Sequence, residues 1–160
     1  DGGKKHGLFE RYHENGQLQD KQNWKDGNQV GDWESYYDNG QLKSKSNSKD
    51  GKSDGRFKTY ETYYENGQLK SKSNSKDGKS DGLSENYYEN GQLKDKTNYK
   101  DDKGHGLHES YHENGQLEFT WNYKYGKQDG LLKSYRKNGT LWFANCYNNG
   151  QVVYTSYCKK

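Results

Sequence analysis

Methionine is missing from all 160 residues, even at the first position. The chain is therefore expected to be a processed product or a piece cut from a longer array, with any signal peptide out of view. Apolar residues are scarce: they make up 26% of the chain, mean hydropathy is −1.66, and no apolar run approaches the length that spans a bilayer as a helix. So little apolar surface cannot fill a two-layer sandwich, although 15% aromatics argues against the disorder that such a composition otherwise indicates. Charge of one sign is lacking too. With 26 basic against 23 acidic side chains the net charge is only +3, so no global field points to sequence-specific nucleic-acid recognition. Two cysteines, Cys146 and Cys158, both near the C-terminus, say little about redox compartment. The absence of proline beside heavy use of Lys, Asn and Tyr suits an AT-rich bacterial genome.

What the chain has in abundance is repetition. Asn15-Gly16-Gln17-Leu18 recurs as Asn39 to Leu42, Asn66 to Leu69, Asn90 to Leu93 and Asn114 to Leu117, and altered as Asn138 to Leu141, at intervals of 24, 27, 24, 24 and 24 residues. A fixed period of this length marks a small supersecondary element that is stable only when stacked on its neighbours. Tyr12, Tyr36, Tyr63, Tyr87, Tyr111 and Tyr135 each precede the Asn by three residues, and a second turn signal follows at Asp26-Gly27, Asp50-Gly51, Asp77-Gly78, Asp101-Asp102, Tyr125-Gly126 and Asn149-Gly150. The last of these looks like a seventh Asn-Gly-Gln-Leu but falls in phase with the second turn. A single array over 1–160 results, with repeats at 7–30, 31–54, 55–81, 82–105, 106–129 and 130–153 and a terminal strand at 154–160. Residues 40–55 and 67–82 are identical, which indicates recent duplication. The longer third repeat places an insertion at Arg56 to Lys58 if Tyr60 takes the position of Trp33.

Asn-Gly between runs of Tyr, Leu and alternating polar residues is a strong hairpin signal, and a two-residue type I′ turn there sets a register. Tyr12 then faces Gln19, Glu10 faces Lys21 and Leu8 faces Asn23. The same arithmetic pairs Glu34 with Lys45, Glu61 with Lys72 and Glu85 with Lys96, so opposite charges meet in four repeats. One face carries these pairs and the Tyr12 column, with Lys43 opposite Tyr36, Lys70 opposite Tyr63 and Lys94 opposite Tyr87. The other carries Leu18 and its counterparts opposite His13, Tyr37, Tyr64, Tyr88, His112 and Arg136, together with aromatics that include Phe119, Trp121 and Phe143. The expected fold is all-β, an elongated single-layer array of stacked antiparallel β-hairpins, monomeric and almost without helix.

The repeat Gly-Leu-x-x-x-Tyr-Tyr-Glu-Asn-Gly-Gln-Leu-Lys-x-Lys-x-Asn-Tyr-Lys-Asp, nearly whole from Gly82 onward, resembles the bacterial variant of the MORN repeat. The resemblance covers almost the entire chain. It implies one β-hairpin per repeat in an extended sheet, and a role as an interaction or scaffold module, in some members membrane-associated and in some bacterial members labelled antitoxin-like. The departures cluster at the end, where Tyr154 replaces the opening Gly, Cys146 the repeated Asn, and Trp142 and Ala144 the Lys pair.

Chemistry of the catalytic kind finds no support in the pattern. His108 and His112 lie roughly 13 Å apart along a strand at about 3.3 Å per residue, too far to chelate one metal ion, and His112 fills the slot of Tyr64 and Tyr88. No nucleophile and base arrangement or phosphate loop is visible, so no enzyme activity, cofactor or metal is expected. The candidate site is the repeated apposition of Tyr36 with Lys43, Tyr63 with Lys70 and Tyr87 with Lys94, whose amines beside aromatic rings suit an anionic polymer, a glycan or a lipid headgroup. Phe119 and Trp121, with Phe143, mark the fallback surface, and the expected partner of the module is a protein or such a polymer or headgroup. The expected function is a non-catalytic interaction module of a secreted or cell-surface bacterial protein, and the alternatives are an antitoxin or immunity partner of a specific toxin, or an inert spacer. Cys146 is expected to face Val153 and Cys158 to lie near Leu141, leaving both thiols free unless the last strand folds back as a cap.

Overall fold

The structure, a computed structural model, describes residues 3–48 and 57–159. It is all-β, and among the described residues the one helix is a 3-10 turn at Thr155–Lys159. The chain forms two compact bodies, Asp1–Gly78 and Lys79–Lys160. The first holds β1 (Gly7–Tyr12), β2 (Leu18–Lys25), β3 (Asn28–Tyr36), β4 (Leu42–Ser48), β5 (Phe57–Tyr63) and β6 (Leu69–Lys76). Each of these pairs antiparallel with the next. The second holds β7 (Lys79–Ser80), β8 (Gly82–Tyr87), β9 (Leu93–Lys100), β10 (Lys103–Tyr111), β11 (Leu117–Lys124), β12 (Lys127–Gln128), β13 (Gly130–Tyr135), β14 (Leu141–Asn148) and β15 (Gln151–Val153), with β8 to β11 and β13 to β15 forming an antiparallel succession. The turn at Asp50-Gly51, the repeat opening at Gly55 and the first inserted residue, Arg56, lie outside the described residues. Tyr60 pairs with Ser73 as Trp33 pairs with Ser46, so Tyr60 takes the expected position.

The type I′ geometry expected at Asn-Gly forms at the second turn instead. Type I′ needs positive φ at both central residues. That requirement is met at the second turn, by Asp26 (51°) with Gly27 (83°) and even by Asp101 (47°) with Asp102 (65°), where no glycine is present. At Asn15-Gly16 only Gly16 is left-handed, at 82°. Gly16 N donates to His13 O at 2.9 Å and His13 N donates to Gln17 O at 2.8 Å. This is a three-residue loop, a type I turn closed by an αL glycine. The longer loop shifts pairing by one residue, and a one-residue bulge at the strand's start shifts it back. Tyr12 therefore faces Leu18 rather than Gln19, while Glu10 still faces Lys21 and Leu8 still faces Asn23. The same shift recurs in every described hairpin of this kind.

The Asn-Gly-Gln sequence also fastens each hairpin to the next. Asn15 Oδ1 accepts from Gln17 N within its own turn at 3.0 Å, while its Nδ2 donates to Asp38 O of the following turn at 2.6 Å. The same two bonds join Asn39 to Gln41 and Glu65, Asn90 to Gln92 and Glu113, and Asn114 to Gln116 and Lys137. The amide supplies the acceptor and the donor from two different atoms, which lets one side chain bond its own turn and the next. Glutamine then covers the next glycine: a Cβ at Gly115 would stand 2.9 Å from Gln92 Oε1.

The interior is thin. Among the described residues the buried apolar side chains are Leu132 and Cys146, and the buried polar ones are Asp20, Thr97 and Ser134. The C-terminus corrects two expectations. Cys146 does face Val153, but residues 154–159 do not continue as a strand. After Tyr154 the chain turns into the 3-10 helix, which folds back and carries Cys158 to Cys146 rather than to Leu141. The two cysteines form a disulfide with Cα atoms 6.0 Å apart, an ordinary separation for that bond. The thiols are therefore not free, and the cap lies on the buried Cys146.

Candidate interaction surface

On the first face of the N-terminal body, register places Glu10, Lys21, Glu34, Lys45, Glu61 and Lys72 side by side across six strands. Alternating signs give each inner lysine an acid on both sides. Lys45 Nζ lies 2.9 Å from Glu61 Oε2, and Lys72 Nζ lies 3.1 Å from Glu61 Oε1. Tyrosine hydroxyls complete the ladder, Tyr12 donating to Glu10 at 2.7 Å, Tyr36 to Glu34 at 2.8 Å and Tyr63 to Glu61 at 2.6 Å. Burial alone would raise the Glu61 pKa, but the Tyr63 hydroxyl and the two ammonium groups outweigh it and hold the carboxyl at about 2. Burial and the bond to Glu34 push Tyr36 up to about 12. Lys45 and Lys72 are neutralised where they stand.

Lys43, Lys70 and Lys94 have a different fate. They occupy the bulge, so that Lys43 and Ser44 both stand against Ser35 while Tyr36 faces Leu42. A one-residue slip reverses the face. The expected apposition of Tyr36 with Lys43, Tyr63 with Lys70 and Tyr87 with Lys94 is therefore not formed, and Leu42, Leu69 and Leu93 stand opposite those tyrosines instead. Each bulged lysine meets the next tyrosine along, on the second face. Lys43 Nζ lies 5.4 Å from the Tyr37 ring centroid, Lys70 Nζ 5.4 Å from Tyr64 and Lys94 Nζ 5.7 Å from Tyr88, within cation-π range. Among the described residues no carboxylate pairs with these three lysines, and all three are exposed. The rings beneath are anchored: Tyr37 donates to Tyr63 O at 2.9 Å and Tyr88 to Tyr111 O at 2.8 Å. In the N-terminal body, Lys43 and Lys70 sit two strands apart, about 9.6 Å at the usual spacing. Sequence reasoning found the lysines and missed Tyr37, Tyr64 and Tyr88; the doubled Tyr-Tyr in three repeats was the available signal.

The column changes at other repeats, where Gln19, Glu118 and Trp142 hold the lysine position. In the C-terminal body, Phe119 and Trp121 do come together, with ring centroids 6.4 Å apart. Trp121 also stacks on His108 at 3.9 Å and meets Tyr123 edge-on at 6.0 Å. His108 is held by Thr97, and burial lowers its pKa. His112 Nε2 lies 3.0 Å from Tyr135 O, taking the place that tyrosine hydroxyls hold in other repeats.

A family described as MORN repeat variant matches residues 5–26, 29–50, 55–77, 80–101 and 104–125. The segment holding Trp142, Ala144 and Cys146 is not among these. No curated protein matches the chain. Among solved structures it is similar to a mutant of S. aureus TarM in complex with Fondaparinux, alpha-GlcNAc-glycerol and UDP, at 10% identity and a TM-score of 0.41 over 62% of this chain and 19% of that one. It is similar too to a crystal structure of TarM, at 11% identity and a TM-score of 0.40 over 61% of this chain and 19% of that one. The chain thus spans about a fifth of those proteins, and a likeness of this size transfers nothing from them. No helix among the described residues is long and apolar enough to cross a membrane.

Proposed function

The chain belongs to the MORN repeat variant family, whose repeats generally serve as protein- or membrane-interaction scaffold modules, and from that premise we propose a non-catalytic module that engages an anionic polymer or headgroup surface through its bulged lysines. The supporting observation is that Lys43, Lys70 and Lys94 stand exposed over tyrosine rings with no acid partner among the described residues, whereas Lys45, Lys72 and Lys96 are drawn into the charge ladder. Repetition turns several weak contacts into useful avidity on a ligand that is itself periodic. The module works in a secreted or cell-surface bacterial protein in this reading.

The test is binding of the full chain to vesicles containing anionic lipid and to a soluble polyanion, across a salt series. Binding weakens with salt, and Lys43→Ser, Lys70→Ser and Lys94→Ser together abolish it with little change in melting temperature. Undiminished binding by that triple variant overturns the proposal and leaves Phe119 and Trp121 as the surface to test next.

A further inference from the structure

The second face of the N-terminal body carries another pattern, independent of the bulged lysines. Register sets Phe9, Gln22, Trp33, Ser46, Tyr60 and Ser73 side by side on six consecutive strands. Large aromatic and smaller polar side chains alternate along that row. Trp33 and Tyr60 both flank Ser46, on strands about 9.6 Å apart, and the small serine leaves the space between them open. A groove of about 380 Å³ lies there, lined by Trp33, Tyr60 and Ser46 with Gln22, Gln29 and Lys58. Gln22 is oriented in advance, its Nε2 donating to Asp20 Oδ1 at 3.3 Å. The corresponding row of the C-terminal body has no such gap, because Thr97 is followed by His108 and Trp121, and those two rings stack on each other at 3.9 Å.

We propose that the Trp33–Ser46–Tyr60 slot binds a hexopyranose ring of an acidic polysaccharide. Two aromatic side chains offer apolar surface to the C–H faces of a saturated six-membered ring, at ordinary contact distances of about 3.5 to 4.0 Å. Around them the amides of Gln22 and Gln29 and the Ser46 hydroxyl supply donors and acceptors for ring hydroxyls. The Lys58 ammonium supplies the preference for a carboxylated sugar. An aromatic side chain from a protein partner would fill the same width but leave those amides without partners, at a cost when they are desolvated.

Titration calorimetry on the full chain tests this, with a galacturonate hexamer as probe, maltohexaose as its neutral counterpart and an acidic tyrosine-rich peptide as the protein-like alternative. The galacturonate hexamer binds, more tightly than maltohexaose, and Lys58→Gln narrows that difference. Ser46→Phe plugs the slot with a residue that favours strands, so it weakens binding by about tenfold or more without unfolding the sheet, the size of effect of removing one stacking platform. Trp33→Ala does the same. A neutral chain gives the lysine surface no charge to hold, so Lys43→Ser with Lys70→Ser leaves the maltohexaose affinity within about twofold while Ser46→Phe still weakens it, which separates the slot from that surface. Parent-like affinity in Ser46→Phe, no binding of the galacturonate hexamer, or a preference for the peptide overturns the assignment.

Discussion

The two bodies are built from one repeat yet are held together differently. In the N-terminal body the first face is an unbroken alternation from Glu10 to Lys72, and the neighbouring row on the second face is equally polar, with Arg11 bound to Asp20 at 2.6 Å, Ser35 to Ser44 at 2.6 Å and Thr62 to Ser71 at 2.6 Å. In the C-terminal body the ladder keeps Glu85, Lys96 and Glu109, with Lys96 2.6 Å from Glu109, and then gives way to Thr120, Lys133 and Ala144. Apolar packing replaces it: Leu132 and Cys146 are buried, His108, Trp121 and Tyr123 cluster, and the disulfide fastens the cap. What the bodies share is the turn lock of Asn, Gly and Gln. The repeat therefore prescribes its connections, and its faces are free to differ.

The comparison breaks most visibly at the cap. Cys158→Ser should destabilise the C-terminal body by about 3 kcal/mol, the value for a loop of this length, and leave amide exchange protection in the N-terminal body unchanged. Gly40→Val and Gly115→Val then test what is shared. Both glycines have φ above 80° and lie under the preceding glutamine, so each substitution should cost its own body about 2 kcal/mol, read by hydrogen exchange; a large loss in only one body would show that the lock is not common. A smaller effect is expected of Asn39→Asp, which keeps the acceptor for Gln41 N but loses the donor to Glu65 O. About 1 kcal/mol should go with that bond.

Acidification sharpens the contrast without mutation. Glu61 has a folded pKa of about 2 against an ordinary 4.5, so its contribution is complete above pH 4.5 and is lost as pH falls towards 2. The N-terminal body should lose stability in that window, and Glu61→Gln should flatten the profile. Least of all, Lys70→Ser should change melting by almost nothing, an exposed cation-π contact contributing about 0.5 to 1 kcal/mol at most.

Much of this was legible in the sequence, for identifiable reasons. Opposite charges falling together at Glu10 with Lys21 and Glu34 with Lys45 fixed the register away from the turns, because it holds for a two-residue loop and equally for a three-residue loop followed by a bulge. That same equivalence hid the bulge. Charge pairing says nothing about the residues between the compensating shifts, so it puts Lys43, Lys70 and Lys94 on the wrong face and beside the wrong tyrosines. The phase of Asn149-Gly150 was readable and correct, and it places Cys146 against Val153. Where the chain goes after Tyr154 is decided by a tertiary fold-back that no strand arithmetic contains, so the disulfide was not.

One bulged residue per hairpin divides the lysines into a neutralised ladder and a presented column. Proton chemical shifts of the Lys70 ε-methylene group test it most directly. Over the Tyr64 ring these protons should be shifted upfield by the ring current, and Tyr64→Leu should remove the shift while Tyr63→Leu leaves it in place. A shift that disappears with Tyr63 and survives the loss of Tyr64 would contradict the bulge and return Lys70 to the first face.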